Sequence, residues 1–118
     1  MYDNDNLIVL KSRDFAIRII KLYQYLQQDK KEYVIANQLL KSGTSIGANV
    51  KEAVRGQSKA DFSAKMNIAL KEASETEYWL DILHATDYIN DKEFVSINGD
   101  LTEISKILTS IVKTSLND

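Results

Sequence analysis

The sequence predicts an all-α protein: one domain over residues 1–118, folded as an antiparallel, up-and-down four-helix bundle. Three observations predict it. Apolar residues recur at helical spacing along nearly the whole chain, which places helices at roughly 7–28, 31–55, 59–89 and 91–116. There is no proline, and four glycines in 118 residues are too few turn formers for a β-sandwich. The stretches between periodic segments are short, and short connections force neighbouring helices antiparallel.

In the first helix Ile8, Phe15, Ile19, Leu22 and Leu26 share one face. The second reads Leu39, Gly43, Ile46, Val50, Ala53, widened by Leu40, Gly47 and Val54. The third reads Phe62, Met66, Ala69, Ala73, Thr76, Leu80, Leu83, and the fourth is a near-regular heptad of Phe94, Ile97, Leu101, Ile104, Leu108 and Ile111. Asp29 with Glu32, Ser58 with Asp61 and Asn90 with Glu93 have the spacing of capping boxes. Gly56 is expected in the left-handed conformation that closes the second helix. Asn98-Gly99-Asp100 is a turn signal inside the fourth heptad. Because the apolar phase runs unbroken across Gly99, one continuous helix is expected rather than a turn and a restart.

Composition removes several classes of function. Without cysteine there is no disulfide framework, thiolate zinc site or cysteine nucleophile. No apolar run approaches the length of a membrane span. Met1 to Asn6 carries two aspartates and no apolar core, unlike a signal peptide, so a cytoplasmic protein is expected. The net charge of −2 argues against a dedicated nucleic-acid binder. Its distribution is uneven: residues 1–59 hold ten Lys/Arg against six Asp/Glu, and residues 60–118 hold five against eleven. The two halves are complementary, either within one bundle or between subunits.

The third helix carries a second apolar stripe opposite its first. Ala64, Ile68, Trp79, Ile82 and Ile89 lie there, with Tyr78 at the edge. Two opposed stripes call for cover on both sides, from another copy of the chain or from Leu7 to Leu10 folded over Trp79. On the second helix, Ser42, Thr44, Ser45 and Ala48 form a face of small residues that lets another helix approach closely. The candidate subunit interface is therefore Ser42, Thr44, Ser45, Ala48, Ile68, Trp79 and Ile82.

The run Ser42-Gly43-Thr44-Ser45-Ile46-Gly47-Ala48-Asn49, then Glu52-Ala53, Ser58, Asp61-Phe62, Lys65, Ile68-Ala69, Lys71-Glu72-Ala73 and Tyr78-Trp79-Leu80, resembles the bacterial four-helix bundle family encoded in intervening sequences of large-subunit ribosomal RNA genes. The strongest match covers about residues 38–83. The resemblance implies a ring, a homopentamer. It also implies kinship with the accessory variability determinant of diversity-generating retroelements, which partners a reverse transcriptase and binds nucleic acid through a basic surface. This chain departs from that pattern in its acidity, and in Gly47 where many members have proline, so less of a kink is expected there.

No catalytic or metal constellation emerges. Asp81-x-x-His84 is the nearest approach to a bundle metal motif, but no second ligand set exists, and His84 with Glu77 reads better as a hydrogen-bonded polar pair at the bundle's end. Phosphate-cradle and nucleophile-elbow patterns are absent, so no enzyme, metal or cofactor is expected. Asn49, Glu52, Glu72 and Glu75 are candidate polar contacts between helices. Lys41, Lys51, Arg55, Lys59 and Lys65 are a candidate basic rim that a ring would multiply. The expected function is a non-enzymatic homo-oligomeric scaffold or adaptor for a protein partner. The alternative is a nucleic-acid-binding accessory factor, with weak, salt-sensitive binding and no membrane role.

Overall fold

The burial pattern of four amphipathic segments builds four helices: α1 (Asp3–Gln28), α2 (Val34–Val54), α3 (Lys59–Ala85) and α4 (Asp91–Asn117). A computed structural model describes residues 3–117, with side chains from 6 to 116. Each helix touches its neighbours in sequence, and α4 returns to α1, while the backbones of the diagonal pairs α1–α3 and α2–α4 do not approach closely. This is the square of an up-down-up-down bundle, 46 × 21 × 19 Å in extent. The predicted stripes fill its centre: Ile8, Phe15, Ile19 and Leu26 meet Leu39, Ile46 and Val50, then Met66, Leu80 and Leu83, then Leu101, Ile104 and Leu108. Among the described residues no helix is long and apolar enough to cross a membrane.

Close approach of α1 and α2 depends on glycine. A Cβ on Gly43 would stand 2.8 Å from Ile19 Cγ1 and Cγ2, and one on Gly47 would stand 3.2 Å from the Ser12 carbonyl oxygen. The two positions are one turn apart on the side of α2 that faces α1. By contrast α4 runs continuously through Asn98-Gly99-Asp100, as its apolar phase predicts. A Cβ on Gly99 would meet nothing within 4 Å.

Four boundary expectations need correction, the first being that α1 begins at Asp3 and not at 7. The second helix begins at Val34, not 31. Lys31 adopts a left-handed φ of 56°, which breaks helical continuity, and the Glu32 carboxylate accepts from the Ile35 and Ala36 amides at 3.0 and 2.7 Å. Glu32 rather than Asp29 thus satisfies the orphan donors of α2. The third helix stops at Ala85, not 89, because Asp87 turns left-handed at φ 66°. The Tyr88 and Ile89 amides fold back on the Leu83 carbonyl, and Ile89 enters the core instead of joining the outer stripe. Gly56 is not left-handed, since none of the described glycines has positive φ. Its use is steric: an added Cβ would lie 3.1 Å from the Ala53 carbonyl oxygen and 3.3 Å from Asp61 Cβ.

The other caps form as their spacing predicts. Ser58 Oγ accepts from the Asp61 amide at 3.1 Å. Asn90 and Glu93 exchange both bonds of a capping box, at 2.8 and 2.9 Å.

Candidate interaction surface

Two contacts set the register of the α2–α3 seam. Buried within it, the Ser42 and Thr76 hydroxyls hydrogen-bond at 3.0 Å, and Thr76 Oγ1 also donates to the Glu72 carbonyl at 2.7 Å. At the seam's other end Lys65 Nζ lies 3.6 Å from Glu52 Oε1. Ser42 is fully buried and belongs to this seam, which corrects its assignment to the outward face. On the helical wheel it sits one step from Ile46, close enough to the core stripe for a small polar residue to be drawn inside.

Outside the seam, the small face of α2 is as the sequence describes it. Thr44 Oγ1 donates to the Leu40 carbonyl at 2.7 Å and Ser45 Oγ to the Lys41 carbonyl at 2.6 Å. Their hydroxyls are thereby satisfied within the helix. Ala48 is exposed beside them.

The outer side of α3 carries partly exposed apolar residues among Lys71, Glu72 and Glu75. Ile68 is 39% exposed and Tyr78 55%, while Trp79 and Ile82 are half-buried. Trp79 Nε1 donates to Glu75 Oε2 at 3.2 Å, and the Tyr78 and Trp79 rings meet edge-to-face at 5.0 Å. The indole's polar atom is thus satisfied within its own helix, leaving the rest of its exposed surface apolar. Because α1 and α3 are diagonal, Leu7 to Leu10 do not cover Trp79. That alternative is excluded.

Of the four candidate polar contacts, Glu52 pairs with another helix, through Lys65. Asn49 Nδ2 donates within α2 to the Ser45 carbonyl at 2.8 Å, and Glu75 serves Trp79 on its own helix. Burial pushes the Glu72 carboxyl above its usual range, neighbouring Glu75 adds to the shift, and Lys41 opposes it.

The five basic candidates do not form one rim. Lys51, Arg55 and Lys65 line a shallow depression together with Glu52, Asp61 and Gln57. Lys59 borders a different groove, with Ser63, Asn67, Val112 and Leu116 between α3 and α4. Lys41 lies about 15 Å along α2 from Lys51, at 1.5 Å rise per residue, and acts on Glu72. His84 does form a polar pair at the bundle's end, but with Asp91 rather than Glu77: Nε2 and Oδ1 are 2.7 Å apart. Its ring stacks on Phe94 at 4.2 Å. Among the described residues no group of three or more His, Cys, Asp or Glu could hold a metal.

One surface is invisible in the predicted core stripe. Leu10, Ile17 and Ile20 emerge on the outer side of α1, exposed by 61, 38 and 40%. Ile19 between them is buried, so the run Ile17-Arg18-Ile19-Ile20 reads as core unless each residue is placed on the wheel.

A family model described as 23S rRNA-intervening sequence protein matches residues 4–110. Among solved structures, the chain is similar to a protein of unknown function from the S23 ribosomal protein family of Bacteroides thetaiotaomicron VPI-5482. The two share 55% identity at a TM-score of 0.92, over 93% of this chain and 98% of that one. Comparison with curated proteins finds no match. The family model spans the four helices and the α2–α3 motif that carries the sequence resemblance: the chain belongs to the 23S rRNA-intervening sequence protein family.

Proposed function

We propose that the protein is a non-enzymatic, self-associating bundle that acts as a scaffold or adaptor for a protein partner, and that its copies form a closed ring, a homopentamer. The observation that carries this reading is the second apolar face of α3, where Ile68 and Tyr78 are exposed and Trp79 and Ile82 are only half-buried. A partly exposed aromatic-aliphatic strip on a small acidic protein is the composition of an interface centre. The small outward residues of α2, Thr44, Ser45 and Ala48, let a second subunit come close beside it. Trp79→Ala tests the reading. Removing a central interface aromatic costs about 2–4 kcal/mol of association, so light scattering should give a lower mass than for the unmodified chain while circular dichroism stays helical. An unchanged mass would remove Trp79 from the interface.

A nucleic-acid role is the second reading, favoured by the convergence of Lys51, Arg55 and Lys65 on one depression. Glu52 and Asp61 line the same depression and offset much of its charge, which ranks this reading below the first. It predicts weak, sequence-independent binding that fades as salt rises. Lys51→Gln, Arg55→Gln and Lys65→Gln combined should abolish it without changing helicity. Binding that is tight at moderate salt, or selective for one RNA, would put this reading first.

A further inference from the structure

Two partly exposed strips of apolar residues lie on the outside of the bundle, on diagonal helices. On α1, Leu10, Ile17 and Ile20 fall at i, i+7 and i+10. On α3, Ile68, Glu75, Trp79 and Ile82 fall at i, i+7, i+11 and i+14. The strips are about 15 and 21 Å long at 1.5 Å per residue, comparable enough for one to lie along the other. Because the backbones of α1 and α3 do not approach closely across the bundle, the strips face away from each other and no chain can satisfy both internally.

Their borders differ in sign. Arg13 and Lys21 flank the α1 strip, and Asp14, which lies 3.4 Å from Arg13, offsets part of that charge. Glu75 lies within the α3 strip and Glu72 at its border, and Lys71 stands on its far edge. Two α3 strips brought face to face would oppose Glu72 and Glu75 to their own copies. A cation brought to this edge would stabilise the Glu72 carboxylate, which burial and Glu75 disfavour.

Resting on the proposed self-association, we infer that the outer strip of α1 in one copy docks on the outer strip of α3 in the next, so that subunits join head to tail through two different faces. Such an interface is heterologous: each copy offers one donor face and one acceptor face, and the chain of contacts continues until the rotation closes it into a ring. The occupant of the α3 face is therefore a second copy of this protein, presented through Leu10, Ile17, Ile20, Arg13 and Lys21.

Mixing two variants tests it. Ile17→Glu spoils the α1 face and Ile68→Glu spoils the α3 face, both at partly exposed positions. Native mass spectrometry should show each variant alone as a monomer, and an equimolar mixture as a one-to-one heterodimer joined through the two intact faces. If the unmodified chain is oligomeric and Ile17→Glu keeps its mass, the α1–α3 pairing is wrong and self-association stands. If the unmodified chain is monomeric at every concentration, self-association itself fails and this inference with it. A gentler pair guards against misfolding. The chain has no cysteine, so Ile17→Cys with Ile68→Cys in one chain should cross-link into a ladder under a short bifunctional maleimide. Either single-cysteine variant should not cross-link. Cross-linking of the single Ile68→Cys variant would mean that α3 meets α3, and would overturn the inference.

Discussion

At the scale of single residues, the bundle's tolerance for side chains follows from where each Cβ points. Gly43→Ala places a methyl 2.8 Å from two carbons of Ile19, whose branched side chain is itself buried. Overpacking of this kind costs about 1–3 kcal/mol, and thermal denaturation should show the loss. Gly99→Ala is the opposite case: the new methyl meets nothing and the helix loses its least favourable residue. A gain of about 0.5–1 kcal/mol is expected. Glu72 gives a pH prediction. Its folded-state carboxyl is raised above the usual 4.5, so folding favours the protonated form, and ionisation at neutral pH subtracts from stability. Stability should fall as pH rises through the range above 4.5 in which Glu72 ionises. Glu72→Gln should therefore raise the melting temperature slightly at pH 7 and leave it unchanged well below pH 4.5. The effect is small because the carboxyl is only partly buried.

At the scale of elements, the helix ends divide into those that side-chain chemistry announces and those it conceals. The reciprocal bonds of Asn90 and Glu93 start α4 as their spacing requires, and Asn90→Ala should cost about 1 kcal/mol by denaturant titration. The end of α3 is concealed, because it turns on a left-handed Asp87 rather than a glycine. The apolar residue beyond it, Ile89, continues the helical phase and disguises the break. The start of α2 is concealed likewise by Lys31. The α1–α4 seam is held by polar links at its margin: Lys11 to Glu103 at 2.7 Å, and Arg18 to both Asp100 and Ser96 at 2.7 Å. Exposed pairs contribute little individually, so Arg18→Ala should cost less than about 1 kcal/mol and lose most of that difference in high salt.

At the scale of the whole molecule, helix number, order and core composition were legible because a 3.6-residue period records which side faces inward. What covers the outside was legible only in part. The outer stripe of α3 stands out since Ile68 and Trp79 lie opposite Met66 and Ala73. Ser42 was drawn to the wrong side because a small hydroxyl residue fits a close helix contact inside the subunit as well as between subunits. The α1 strip was hidden by the buried Ile19 within it, and the placement of Lys59 in a different groove from Lys51 could not be seen without the bundle's geometry. All of these surfaces bear on one claim, that the bundle is built to join its own kind through the outer face of α3. Sedimentation of the unmodified chain across a dilution series measures that claim most directly. A defined multiple of the 13.4 kDa chain mass is expected at high concentration, dissociating on dilution. A single 13.4 kDa species at every concentration would contradict it.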